Sequence, residues 1–151
     1  MTVIHSPDDV AVGDSLPTLR FGPVTRAMLA RYAAASLDFN PIHTDTDFAR
    51  AAGGEDVIAH GMLSFGLAAR LVSEWAGADT VRHLAGKFTA ITHVGDEIVV
   101  GGRVRAIKLG KSNREIEVEL IVRVKGKETV VAEALVARPF SPKPGPPDKI
   151  L

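Results

Sequence analysis

Asp38 and His43 stand five residues apart in the run Asp38-Phe39-Asn40-Pro41-Ile42-His43, with an Asn-Pro turn signal between them and Asp45 two residues beyond. A carboxylate and an imidazole that turn toward one point can hold a water, or a substrate proton, within hydrogen-bond reach of both. That is general acid–base chemistry. The same residue types also serve plainer ends, since Asp caps turns and a half-buried His is common in loops. Downstream, His60-Gly61 comes directly ahead of the most apolar stretch in the chain. The start of a buried helix carries N–H groups with no partner inside the helix, and such groups can receive a developing oxyanion. A proton shuttle and a set of free amide donors are two halves of a site.

The elements that must position these residues can be read from spacing. Thr25 can cap a helix in which Met28, Leu29, Tyr32, Ala33 and Ala35 recur at three- and four-residue intervals, ending near Ser36. Pro41 fixes its own φ and drives Asn40 out of the helical region, so the chain must turn there. A short helix over residues 47–52, capped by Thr46 or Asp47, stops at Gly53-Gly54. Residues 55–59 then form a connector. From Gly61 to Ala76 the chain reads Met62, Leu63, Phe65, Leu67, Leu71, Val72 and Trp75, with Gly66, Ala68 and Ala69 between them. A helix apolar over most of its circumference is expected to be enclosed by other elements. Its length, about 24 Å at about 1.5 Å per residue, matches the width of a five- or six-stranded sheet.

Behind Gly77 the pattern changes to alternation. Residues 81–93, 97–107, 114–124 and 128–138 read as strands, with hairpin turns at 94–96, 109–113 and 125–127. A short extended run, residues 16–21, precedes the first helix and ends at Gly22-Pro23. The fold class is therefore α+β, an antiparallel sheet curled around a long buried central helix. Residues 1–140 form a single domain, and residues 141–151, rich in proline, form a tail.

Composition excludes several function classes. Without cysteine there is no disulfide framework, zinc-cysteine site or cysteine nucleophile, and a reducing cytoplasm suits the chain. Lys plus Arg equals Asp plus Glu at 18 each, so no global field favours nucleic acid or an anionic membrane. Arg70, Ser73 and Glu74 interrupt the longest apolar run, which argues against a membrane span. The amino end has neither the basic region nor the apolar run of a signal peptide.

Residues 32–49, YAAASLDFNPIHTDTDFA, resemble the signature of the MaoC-like dehydratases and (R)-specific enoyl-CoA hydratases, whose core is Asp, any residue, Asn-Pro, an aliphatic residue and His. Residues 58–63, IAHGML, are similar to the segment that enters that family's central helix. The resemblance covers residues 9–138 and looks closest to the short dehydratase subunits of type II fatty-acid elongation. It implies a hot-dog fold. Two positions depart from the pattern. Leu37 stands where the family usually has Gly, so a positive φ there would strain it by about 1 kcal/mol. Thr46 stands where Pro is frequent.

The resemblance also implies a chemistry: reversible hydration of trans-2-enoyl thioesters, or dehydration of (3R)-hydroxyacyl thioesters, carried on coenzyme A or acyl carrier protein. Asp38 and His43 would hold the water, and the Gly61 N–H would donate to the thioester carbonyl. Asn40, His60, Met62, Ser64 and Phe65 are the implied substrate-binding residues. His60 can instead position the loop, and Asn40 can be a turn residue. Ser64 can bond back to its own helix, while Asp45 organises the loop. The acyl chain would run between helix and sheet past Met62, Phe65 and Phe88. No metal or organic cofactor is expected. A homodimer is the expected assembly, with a heterodimer alongside another hot-dog subunit also open; neither nucleic acid nor membrane is an expected partner. Three alternatives stand beside this: a subunit that only completes a partner's acyl tunnel, a hot-dog thioesterase, whose acid should lie nearer than Glu74, and a two-histidine, one-carboxylate metal site from His43, Asp45 and His60.

Overall fold

The computed structural model describes residues 6–139. Three helices and five strands follow one another as β1 (Leu19–Phe21), α1 (Arg26–Ser36), α2 (Thr46–Ala51), α3 (Gly61–Ala76), β2 (Val81–Phe88), β3 (Ile98–Leu109), β4 (Asn113–Val124) and β5 (Lys127–Pro139). The strands form one antiparallel sheet in the order β1-β3-β4-β5-β2. Its inner face, including Val100, Ile116, Val118, Leu120, Val122 and Val136, is buried against Leu67, Ala68, Leu71, Val72 and Trp75 of α3. This is the hot-dog arrangement. The expected tail lies outside the described residues.

Local chemistry accounts for the elements that matter to the site. Thr25 caps α1 by accepting from the Met28 N–H at 3.2 Å. At its other end Leu37 adopts a left-handed conformation, φ 59° and ψ 24°, as expected if the family's glycine is replaced without changing the chain path. Lys125 and Gly126 both have positive φ, 49° and 80°, the signature of a two-residue hairpin turn between β4 and β5.

Four expectations need correction. The strand over residues 81–93 stops at Phe88, and it pairs with β5 at the edge of the sheet, so residues 94–96 are not a hairpin turn. Alternation reports which face a residue takes, not which strand lies beside it. Instead of extending β2, the chain beyond Phe88 ties down the entry to α3: the Ala59 N–H donates to the Thr92 carbonyl at 2.9 Å, and Ile58 bridges His93. The cap of α2 is Asp45, not Thr46 or Asp47. Its Oδ1 accepts from the N–H groups of Asp47 at 2.9 Å and Phe48 at 3.1 Å, which starts the helix at Thr46. Finally, α3 is not enclosed all round. Met62 is 52% exposed, Gly66 is open, and Phe65 and Ala69 are half-buried, leaving an uncovered apolar stripe on its N-terminal half.

Candidate active site

Pro41 and the preceding left-handed Leu37 fold residues 38–45 into a loop around the 3-10 turn Pro41–His43. Main-chain bonds brace it: His43 N–H to the Asn40 carbonyl at 3.0 Å, Asp45 N–H to the Pro41 carbonyl at 2.8 Å. The Asn40 side-chain oxygen accepts from the Ile42 N–H at 3.1 Å, and Asp38 Oδ1 accepts from the Asn40 N–H at 3.3 Å. Asn40 thus serves as the cap of the turn, and its carbonyl oxygen is already engaged.

The loop turns Asp38 and His43 toward His60, the residue that precedes α3. One ligand atom from each of the three lies within 4.8 Å of the other two. A water bonded at about 2.8 Å to each of two such atoms spans that separation. His43 Nδ1 is 2.8 Å from the Ile58 carbonyl. A carbonyl can only accept, so Nδ1 carries the hydrogen and Nε2 keeps its lone pair. His43 is therefore presented as a base at Nε2.

His60 is 1% exposed, and its Nε2–H donates to the main-chain carbonyl of Asp38 at 3.1 Å. Its ring stacks on that of His43, with centroids 3.8 Å apart and planes 27° apart, and the ring of Tyr32 of α1 lies 4.9 Å away, tilted by 56°. Burial pushes the His60 pKa below its ordinary value. Burial and the neighbouring Asp38 carboxylate push the Tyr32 phenol above its own. Each ring spends one nitrogen on a main-chain carbonyl, so one nitrogen of each is left for a water or a cation. Asp45, the carboxylate of the sequence-level metal alternative, is committed to capping α2.

A cavity of about 180 Å³ opens beside His43 and runs along Ile58, Ala59, Gly61 and Ser64 on one side and Phe88, Ala90, Ile91, Thr92, Thr129 and Val130 on the other. Among the described residues no side chain caps the start of α3, and while the Leu63 N–H donates to the His60 carbonyl at 3.1 Å, the Gly61 N–H is left open to a ligand. Ser64 does not bond back to its helix. Its Oγ is buried and has no hydrogen-bond partner among the described residues. A larger hollow, about 510 Å³, lies on the sheet between Lys87, Arg105 and Glu117, away from these groups.

His43, Gly61, Ser64 and Phe88 thus line one cavity, and Asp38 stands beside His43 without lining it. The other implied substrate contacts do not reach the cavity wall. Met62 faces outward from the first turn of α3, Phe65 packs toward Gly86 and the edge of Phe88, and His60 is buried behind His43. Reading outward from IAHGML could not separate these, because adjacent helix positions point about 100° apart. Tyr32, Thr92 and Ile91 were missed as site residues; each arrives through tertiary folding and carries no local signal. Glu74 pairs with Arg70 at 2.7 Å on the exposed side of α3, so the acid that the thioesterase alternative would draw on does not line the cavity.

Residues 10–126 match the MaoC like domain family. Among curated proteins, the chain is 38% identical over 97 residues to a mitochondrial 3-hydroxyacyl-[acyl-carrier-protein] dehydratase of Arabidopsis thaliana, a match covering 64% of this chain and 54% of that one. The chain thus spans about half of that relative's length. It is 32% identical over 122 residues to an (R)-specific enoyl-CoA hydratase of Aeromonas caviae, covering 80% of this chain and 88% of the relative. Among solved structures, the ChsH1-ChsH2 complex from Mycobacterium tuberculosis contains a chain that superposes with a TM-score of 0.75 at 26% identity, covering 85% of this chain and 98% of that one.

Proposed function

The chain belongs to the MaoC-like domain family, and from that premise we propose that it is a hydro-lyase of fatty-acid metabolism. It adds water reversibly to trans-2-enoyl thioesters, giving (3R)-hydroxyacyl thioesters carried on coenzyme A or acyl carrier protein. The observation that carries this is the convergence of an Asp38 carboxylate oxygen and a His43 ring nitrogen within 4.8 Å, a separation one water spans, beside a cavity that leads to the start of α3.

In the forward direction the Asp38 carboxylate accepts a hydrogen bond from the bound water and orients it, while His43 Nε2 takes the water's other proton as the oxygen, keeping its remaining hydrogen, attacks C3. The protonated His43 is then the source of the proton delivered to C2. The C2–C3 π electrons move onto the thioester oxygen. That enolate oxygen faces the Gly61 N–H and the positive end of α3, and a proton returned to C2 completes the addition. We assign Ser64 Oγ, buried and without a hydrogen-bond partner among the described residues, a contact to the thioester. No metal or organic cofactor enters the scheme. A cytoplasmic setting belongs to the same proposal, as does the absence of a membrane or nucleic-acid partner; no helix among the described residues is long and apolar enough to cross a membrane.

Two features support a second subunit: the uncovered stripe on α3, and strand β2, which among the described residues pairs with β5 alone and stands at the edge of the sheet. We take the partner to be a second copy of the chain, with another hot-dog subunit as the alternative. Light scattering on the purified chain separates them, since a monomer mass would require a different partner.

The reaction is tested by following loss of the conjugated-thioester absorbance of crotonyl-CoA and longer enoyl-CoAs. Asp38→Asn and His43→Ala should each lower turnover by at least about a hundredfold with an unchanged circular-dichroism spectrum. Retained hydration in both variants would refute the proposal.

A further inference from the structure

His60 has three properties that space-filling does not explain. Its single N–H is spent on the main chain of Asp38, at 3.1 Å. Its face lies 3.8 Å from the centroid of His43. Its Nδ1 is buried with no hydrogen-bond partner among the described residues. A bare acceptor in the interior lowers stability, and a leucine or phenylalanine would fill the same volume without it. What the histidine does, and those residues would not, is touch both members of the reacting pair at once.

We infer that His60 is a positioning residue of this site: one ring nitrogen sets where Asp38 leaves α1, and the ring face sets the plane of His43, so that both reach a common water. The inference rests on the hydration chemistry proposed above and assigns His60 no contact with substrate. The surroundings suit the role. Tyr32 presses on the ring from α1, and Asp38 and His43 face it from the loop, so it cannot rotate without displacing one of them. Its neutral form, favoured by burial, supplies a single hydrogen for the Asp38 carbonyl and keeps a second cation away from the ring that takes up the water's proton. Under a transiently protonated His43, a neutral π face is attractive, whereas an imidazolium would repel.

The test separates the two contacts. His60→Phe keeps an aromatic face and removes both the donor and the bare nitrogen; His60→Gln keeps an N–H of similar reach and removes the face. With crotonyl-CoA as substrate, kcat of His60→Phe should fall by about tenfold to a hundredfold while KM stays within about threefold. Its Tm should stay within about 4 °C of the wild type, because removal of the orphaned nitrogen is offset by the Asp38 carbonyl left without its donor. His60→Gln should also lose kcat, and in an Asp38→Asn background, where the group that the His60 N–H positions is already lost, His60→Phe should remove nothing further. Wild-type kcat in His60→Phe, a loss confined to KM, or a full additional loss in the Asp38→Asn background would each overturn the inference. Should His43→Ala itself hydrate at the wild-type rate, the underlying reaction falls and takes this inference with it; an inactive His43→Ala beside a fully active His60→Phe overturns this inference alone.

Discussion

A β-carbon on Gly61 would stand 3.0 Å from Cε1 of Phe88, so the first residue of α3 and the last of β2 meet closely because one of them has no side chain. Phe88 is 54% exposed and can rotate, which makes Gly61→Ala tolerable to the fold but not to the cavity that both residues line. Turnover of crotonyl-CoA should drop by about tenfold or more in Gly61→Ala, because displacing the ring misplaces the acyl group. Adding Phe88→Ala should restore part of it. Full activity in the single variant would mean that the thioester does not approach this end of the helix.

Asp45 distinguishes an organising carboxylate from a reacting one. Its Oδ1 accepts two N–H groups at the start of α2 and contacts none of the reacting atoms. Asp45→Ala should therefore cost about 1 kcal/mol, a fall in Tm of about 2–4 °C. Its kcat should stay within about tenfold of wild type, against at least about a hundredfold for Asp38→Asn. Equal losses in the two variants would place Asp45 in the chemistry.

Leu37 holds φ 59° with 78% of its surface exposed. A left-handed conformation costs a β-carbon-bearing residue about 1–2 kcal/mol, and glycine escapes most of this. Replacing Leu37 by glycine should raise Tm by about 2–4 °C and leave kcat within about twofold, since the chain path is already the one glycine would choose. A lowered Tm would show that the exposed leucine is covered by a partner in solution.

Stability should decline in two stages as pH falls. His60 titrates below its ordinary value of 6.5 in the fold, so between those two values the unfolded chain holds a proton that the folded chain does not. Its contribution is complete above about pH 7 and is lost as pH drops through 6.5 toward the folded value. Asp96 follows. Burial alone would raise its pKa, but the Lys125 ammonium at 2.8 Å and the His93 N–H at 2.8 Å outweigh it, and the carboxyl titrates below 3.8. Asp56, lowered by the Val57 N–H and by Arg26, acts in the same direction. These contributions disappear as pH falls below about 4. Urea unfolding from pH 8 to pH 3 checks both stages, and His60→Phe should flatten the first while leaving the second.

Much of this was legible in the sequence because local physics decided it. Apolar residues nearly all round α3 gave both its ends, the Thr25 cap gave the start of α1, and the glycine turn gave the β4–β5 hairpin. The reacting pair was legible because Pro41 confines Asp38 and His43 to one short loop. Non-local choices were not. The stretch beyond Phe88 still alternates, yet it leaves the sheet because the entry to α3 competes for its carbonyl at Thr92. Asp45, Thr46 and Asp47 are all competent caps, and the 3-10 turn before them selects the first. Nor does sequence say which side of α3 the sheet leaves bare, and that side holds Met62.

Both imidazoles at the site are anchored to main-chain oxygens, His43 to Ile58 and His60 to Asp38. Because every amino acid supplies the same carbonyl, codon changes at Ile58 or Asp38 leave those acceptors in existence. The placement of hydrogens on the two rings is thus insulated from side-chain drift at the very positions that hold them. Asp38→Asn accordingly deletes an acid without unseating a histidine, which makes it an unusually clean knockout.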